Sequence, residues 1–220
     1  MKKLKIFIFV LVFLTTFVFT FPLKTVVSYF LSSNNFLFSK IDGNIFKFNI
    51  KDLENRYVYI KNLKIDNKIF KQNIFFNKNL EISYKPFNKN LSIRFNKFDT
   101  SKVLKDKEEI SAKLEGSIKI YRKDDYKILT GEGKIILRRL NLGFITLNGV
   151  RIKYDIKEDK NFSKVEADLK GLNINGKFTG KIVWKDKIHL KGNFSGRFFN
   201  QKVERDINEE FNFNFLDGIL

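Results

Sequence analysis

The chain contains no cysteine, which excludes a disulfide framework, a thiolate metal site and a lipid-modified cysteine. It has a single histidine, His189, set between Ile188 and Leu190 at a position that alternation places on a wet strand face. No histidine or carboxylate cluster has metal-ligand spacing. Acidic residues are scarce beside basic ones, 24 against 42. The adjacent acids Glu108-Glu109, Asp124-Asp125 and Glu209-Glu210 all lie in polar stretches. Neighbouring lysines hold such carboxylates ionised, the opposite of what a general acid needs. Gly131-Glu132-Gly133 lacks the Lys-Ser/Thr and the following helix of a phosphate loop. No catalytic residue, cofactor or metal is nominated, and enzymatic function is not expected.

What is present begins with grease. Residues 1–5 form a basic tip, with Lys2, Lys3 and Lys5, and residues 6–23 are uncharged, with Thr15, Thr16 and Thr20 as their only polar members. This is about the ~17–20 apolar residues that cross a bilayer, and no small-residue cleavage pattern precedes Phe21-Pro22. An uncleaved anchor is expected, flanked by Pro22 and Lys24 on its far side. Lysines crowd the first residues, so the positive-inside bias leaves the N-terminus in the cytoplasm and exports the rest. Residues 24–33 carry Val26, Val27, Phe30 and Leu31 at helical spacing, with Tyr29 as an interfacial aromatic, and read as an amphipathic segment at the membrane boundary.

Residues 34–220 read as one antiparallel β domain. The clearest stretch is "GLNINGKFTGKIVWKDKIHLKGNFSGRF", residues 171–198. Its even positions are Leu172, Ile174, Phe178, Ile182, Trp184, Ile188, Leu190, Phe194 and Phe198, interspersed with four glycines, and its odd positions are mostly polar. A period of two is the pleat of a strand with one greasy and one wet face. The series breaks at Lys185-Asp186-Lys187 and resumes in phase, as in a hairpin. Glycines on the apolar face let a sheet bend, so the sheet is expected to be curved.

Shorter alternations precede it. Phe46, Phe48 and Ile50 share one phase; Tyr57, Tyr59, Leu63 and Ile65 share another, opposite to Val58 and Ile60. Pro86 and its asparagines mark a turn. Residues 100–109 are polar enough for a linker. From Ile110 the alternation is regular, with hairpin tips expected at "RKDDYK" and "KEDKN", and with the return strand opening at "GEGKII". Gly-x-Ile at Gly43, Gly116, Gly133 and Gly180 reads as the opening of a strand each time. No helix is expected after residue 33, and the connections are too short for crossover helices. The fold class is thus mainly β: a transmembrane helix followed by a curved antiparallel sheet in the form of a groove, a sandwich or a partly open barrel.

The net charge of +18 would suggest nucleic acid in a cytosolic protein. Behind an anchor it points to anionic lipid instead. A chain saturated with Lys, Asn, Ile and Phe carries such charge from compositional bias alone, and the lysines are spread along the polar strand positions.

The anchor ending in Phe21-Pro22, the amphipathic "LKTVVSYFL", "FSKIDGNIF" and the run of Gly-x-apolar strands resemble the type II secretion system protein N family. Residues 150–184 are similar to its pattern of strand, turn and "Gly … Gly-x-Ile" strand. In general style the chain is also similar to AsmA-like and LptC-like envelope proteins. The resemblance implies a bitopic inner-membrane protein with a periplasmic β domain, whose partners are other secretion or envelope-transport proteins. It carries over no catalytic residue.

Two functions follow. One is a non-enzymatic docking component of a secretion apparatus, using exposed sheet edges. The other is a carrier of lipid or lipopolysaccharide along an apolar groove built from the even face of residues 172–198, with anionic lipid as cargo and no nucleic acid. Alternation does not separate a filled core from an open groove.

Overall fold

A computed structural model describes residues 23–68, 70–105, 110–141, 146–199 and 201–211. The expected anchor, apart from Leu23, and its flanks Lys2, Lys3, Lys5 and Pro22 lie outside these residues. Among the described residues no helix is long and apolar enough to cross a membrane.

The described chain opens with helix α1 (Leu23–Ser33), which ends for a local reason. Asn35 sits in the left-handed region with φ of 59°. The Phe36 amide donates to the Leu31 carbonyl at 2.9 Å and the Asn35 amide to Ser32 at 3.1 Å. This is the Schellman closure, in which asparagine tolerates the left-handed turn and an apolar residue just beyond it packs back on the helix. Leu31 and Phe36 accordingly belong to one cluster.

Thirteen strands follow in a single antiparallel meander, each hydrogen-bonded to the next in chain order. They are β1 (Lys40–Gly43), β2 (Lys47–Glu54), β3 (Tyr59–Lys68), β4 (Lys71–Phe76), β5 (Leu80–Lys85), β6 (Asn90–Asp99), β7 (Ile110–Lys123), β8 (Tyr126–Asn141), β9 (Thr146–Asp159), β10 (Phe162–Lys170), β11 (Ile174–Trp184), β12 (Ile188–Phe198) and β13 (Gln201–Phe211). β1 and β13 do not pair, so the sheet is open. One sheet is not a sandwich, and that form of the expected fold is excluded. After α1 the described residues hold only two short 3-10 turns, Pro86–Asn88 and Thr100–Lys102.

Hairpin turns in a meander alternate between two ends. Those of β1–β2, β3–β4, β5–β6, β7–β8, β9–β10 and β11–β12 share one end, the tip end below. Helix α1 belongs to the other: Leu31 packs with Ile41, Ile50, Leu53, Ile60 and Leu63, and Leu37 bridges Glu54 beside the β2–β3 turn.

The sheet curls. Trp184 of β11 packs with Leu91 of β6 and Ile120 of β7, joined by Ile82 and Tyr84 of β5 and Ile188 of β12. β6 and β11 are five strand positions apart, about 24 Å on a flat sheet at ~4.8 Å per strand. No pair of side chains spans that gap, so the sheet bends until its two halves touch. β8 takes part by leaving its neighbour. Its ladder to β9 runs from Asn141 to Gly131, beyond which the Leu129 amide donates to Ser163 Oγ of β10 at 2.8 Å. Among the described residues Ile128 and Ser163 have no exposure.

Three sequence expectations change. None of the four Gly-x-Ile glycines opens a strand: Gly43 ends β1, Gly116, Gly133 and Gly180 lie inside β7, β8 and β11, and β8 starts at Tyr126. Gly116 and Gly133 face each other, and a Cβ on Gly116 would meet the Glu132 carbonyl at 2.2 Å and Gly133 Cα at 2.5 Å. These glycines are needed for close strand approach. Second, residues 100–105 are no linker. Val103 packs on the first cluster, and its carbonyl accepts from Tyr59 while the Lys105 amide donates to Tyr57, at 2.7 and 2.9 Å. Third, the phase assigned around Tyr57 fails. Ile60 is buried together with Leu63, and Tyr57 is exposed. Asp52 opposite is left-handed, φ 51°, and flips both strands. Its carboxylate accepts from Ser39 Oγ at 2.7 Å and Tyr59 Oη at 2.9 Å, which hold it below the usual carboxylate range.

Candidate functional site

Strand register carries the alternation of separate strands into one continuous surface. A single cross-strand row takes one residue from each of the thirteen strands: Gly43, Phe48, Ile65, Ile74, Ile82, Ile93, Ile118, Gly131, Ile156, Val165, Gly180, Gly192 and Ile207. None is polar. The row beside it runs Ile41, Ile50, Leu63, Phe76, Leu80, Phe95, Gly116, Gly133, Tyr154, Ala167, Phe178 and Phe194, and meets its first charge at Arg205 of the edge strand. The opposite face is wet in the same register: Asp42, Asn49, Lys64, Phe75, Glu81, Arg94, Ser117, Glu132, Asp155, Glu166, Thr179, Asn193 and Asp206. Its one aromatic, Phe75, lies under the Lys64 ammonium at 5.5 Å.

Burial varies along the apolar face. It is tight at the tip end, where the Leu91–Ile120–Trp184 cluster closes the curl and Trp184 is 3% exposed. A second tight region lies under α1. Between and beyond them Leu114, Ile135, Ile152, Leu169, Ile174, Phe194 and Phe198 are only half-buried. The apolar face is thus closed at the tip end and under α1 and less covered elsewhere, a candidate trough along which β11 and β12 run about 35 Å at ~3.3 Å per residue.

Its floor is made by glycines and rings together. Gly176 pairs with Gly196, Phe178 with Phe194, and Gly180 with Gly192. The Phe178 ring lies over the second glycine pair, its Cζ 2.6 Å from where a Gly192 Cβ would stand, and the Phe194 ring lies over Gly176. The rings lean along the sheet and cover bare backbone, as aromatics do beside strand glycines. Wider side chains at these glycines would lift the rings into the trough.

The nine residues singled out from the sequence divide eight to one. Ile174, Phe178, Ile182, Trp184, Ile188, Leu190, Phe194 and Phe198 share the apolar face by register. Leu172 does not: it is 94% exposed, in the turn where the Gly171 amide donates to the Ile174 carbonyl. The turn ends the strand phase before it reaches Leu172. The remaining trough residues, on β1 to β10 and β13, belong to the same surface, and only pairing brings them there. Lys24 lies in α1.

Helix α1 shows two apolar faces. Val27 and Leu31 turn to the sheet, while Val26, Tyr29 and Phe30 are exposed. An amphipathic segment at a membrane boundary needs such an outward face.

Among the described residues the titratable stretches singled out from the sequence lie apart from one another, His189 and Glu210 excepted. His189 is on the outer face opposite Val183 and Glu210, with Nδ1 3.6 Å from Glu210 Oε2. A hydrogen bond from Lys187 holds the Glu210 carboxyl below its ordinary range, which suits an ion pair and not an acid catalyst. Asp124 and Asp125 form the β7–β8 turn; Glu108 and Glu109 lie outside the described residues. Among the described residues no group of three His, Cys, Asp or Glu could hold a metal ion. Tyr121 is pushed up to about 12 by burial and by its bond to Glu158, a contact shared with Lys123 that ties the β7–β8 tip to β9.

No protein-family model matches the chain, and no curated protein or solved structure is significantly similar to it. The likeness to the type II secretion protein N family rests on the residues that suggested it.

Proposed function

We propose that this chain is a non-enzymatic, membrane-tethered envelope protein that holds the acyl chains of an anionic amphiphile in its apolar trough. The observation that carries the reading is the row of thirteen apolar residues, one per strand, on the inner face of an unclosed sheet. The ends of that face are covered by the Trp184 cluster and by α1, but Leu114, Ile135, Ile152, Leu169, Ile174, Phe194 and Phe198 on it are only half-buried. An apolar face left partly open is a candidate binding surface. The leading segment holds the protein in the inner membrane with its first residues in the cytoplasm, and the sheet stands in the periplasm. The exposed Val26, Tyr29 and Phe30 of α1 rest at the membrane surface. This is the AsmA-like and LptC-like reading.

A docking role in a type II secretion apparatus would use the edges of the sheet, β1 and the longer β13, eleven residues long. The β13 edge carries Lys202, Glu204, Arg205, Asp206, Glu209 and Glu210, the charged dressing that discourages strand addition. The trough is therefore the better-supported site.

A photoreactive residue replacing Phe194 in the full chain, activated in membranes, is expected to capture lipid identifiable by mass spectrometry. The same residue replacing Lys181 on the outer face is expected to capture none. Absence of lipid at position 194, or equal capture at both positions, rejects the trough.

A further inference from the structure

The six hairpins of the tip end differ in kind. Phe46 lies in the β1–β2 turn, Phe70 in β3–β4 and Phe87 in β5–β6, exposed by 46%, 67% and 73%. The Phe70 and Phe87 rings are 5.4 Å apart. The Phe46 carbonyl accepts from the Asn67 amide at 2.6 Å, which ties its turn to the end of β3. Residues 44–47, 67–71 and 85–90 hold Lys47, Lys68, Lys71, Lys85 and Lys89 and no carboxylate. The next three tips mix charges, Lys123 with Asp124 and Asp125, Asp159 with Lys160, and Lys185 and Lys187 with Asp186, and they expose no large apolar side chain. A uniform bias toward Phe and Lys would not sort one half of a meander from the other.

Behind the aromatic tips, β4 to β7 enclose a groove of about 330 Å³ with Lys71, Lys85, Arg94 and Lys119 on its walls and Ser83 and Ser92 beside them. One carboxylate, Glu81, lines it and is 3.6 Å from Arg94. The groove begins at the tips through Lys71, Lys85 and Asn90. Two physical requirements thus meet on consecutive hairpins: rings free to enter an interface, and cations with hydroxyls set behind them for an anionic headgroup.

We propose that the β1–β2, β3–β4 and β5–β6 tips form a docking surface for an anionic phospholipid bilayer. Phe70 and Phe87, with Phe46, enter the interfacial region, and the groove behind them receives a headgroup phosphate. Charge complementarity selects this occupant, since lysines close to an anionic leaflet are attracted within a Debye length. The surface lies at the end of the strands away from α1, so it addresses a lipid surface other than the one α1 rests on. It does not depend on the trough holding lipid.

The lack of native cysteine permits a clean test. The full chain, carried in phosphatidylcholine nanodiscs, receives a single environment-sensitive fluorophore through Asn88→Cys or, at a polar tip, Asp125→Cys. Vesicles of phosphatidylcholine with phosphatidylglycerol are then added. A blue shift is expected from position 88 and none from position 125, and salt should reverse it. Phe70→Ser with Phe87→Ser should weaken vesicle affinity at least tenfold while the Trp184 emission, a check on folding, stays unchanged. Lys68→Glu with Lys89→Glu should do the same. No shift with anionic vesicles overturns the proposal, as does an equal shift at both positions or one undiminished by either double substitution. A shift that grows with protein concentration without vesicles would mean that the tips pack on a second copy, and also overturns it.

Discussion

Replacing Trp184 by alanine tests the curl directly. The indole is 3% exposed and joins β11 to β5, β6 and β7 through Leu91, Ile120 and their neighbours. Lys127 Nζ stands 5.4 Å from its ring centroid. Removing a buried tryptophan costs about 3–5 kcal/mol in lost transfer energy and cavity formation, and the cation–π contact adds on the order of 0.5–2 kcal/mol. A domain with a stability of about 5–15 kcal/mol would lose a large share of it. Urea unfolding followed by far-ultraviolet circular dichroism should show the midpoint falling accordingly, and Trp184→Phe should recover most of the loss. The strands themselves remain paired to their neighbours, so the variant should keep its β spectrum before the transition. A loss under about 1 kcal/mol would refute the argument that this side chain holds the two halves of the sheet together.

Three further outcomes are expected. Ser163→Ala leaves the Leu129 amide without the acceptor it meets at 2.8 Å, in a place with no exposure; urea unfolding should show a loss of about 1–3 kcal/mol. Gly116→Ala puts a Cβ 2.2 Å from the Glu132 carbonyl at a φ of +132°; its thermal midpoint should fall by more than that of Gly149→Ala, whose added Cβ meets nothing within 4 Å. Asp99 accepts from Ser101 Oγ at 2.7 Å and pairs with Arg138 at 3.1 Å; burial opposes its ionisation, but these partners outweigh that and hold its carboxyl below the ordinary range. Its stabilisation is therefore complete above the unfolded value of about 3.9 and is lost as pH falls through the lower folded value. Asp99→Asn should be less stable than the parent at neutral pH, with the difference shrinking in urea titrations run at progressively more acid pH.

The β class was legible because thirteen strands in sequential order need only local information: a two-residue period and a turn between successive runs. The hairpin turns at Asp124-Asp125 and Lys185-Asp186-Lys187 could be read in this way. The phase of each strand relative to the others could not. Ile50 and Leu53 are both buried because Asp52 takes a left-handed φ that Ser39 and Tyr59 help to hold, and no pattern in "NIKDLEN" announces it. The register itself shifts between Phe95 and Phe98, beside Lys97 at a φ of 50°, and again between Ser111 and Ala112. Leu172 failed for the converse reason: its parity is right, but the chain there is already a turn. Alternation within one strand does not show the extent of the apolar face, since Ile156, Val165 and Ile207 join Gly180 only through register. The glycines were recognised as sites of bending, yet their pairing with Phe178 and Phe194 depends on a cross-strand alignment that a single sequence does not contain.

Whether the apolar face is a closed interior or an open trough reduces to two adjacent rings. Phe178 and Phe194 are direct cross-strand partners on the same floor, but Phe178 is 9% exposed while Phe194 is only half-buried. In a sealed core each would cost about 3–5 kcal/mol on truncation to alanine, because the cavity persists. In an open trough the space left by Phe194 fills with water or lipid, so only the transfer term is lost, at about 25 cal/mol per Å² of apolar surface formerly shielded. Phe194→Ala should then cost under about 2 kcal/mol by that reckoning, and Phe178→Ala should remain near the core value. Added phospholipid should stabilise both the parent and Phe194→Ala against urea, by linkage to the folded state alone. Equal costs at the two positions, with no response to lipid, would show that the floor is an ordinary core and that the trough has no room for a guest.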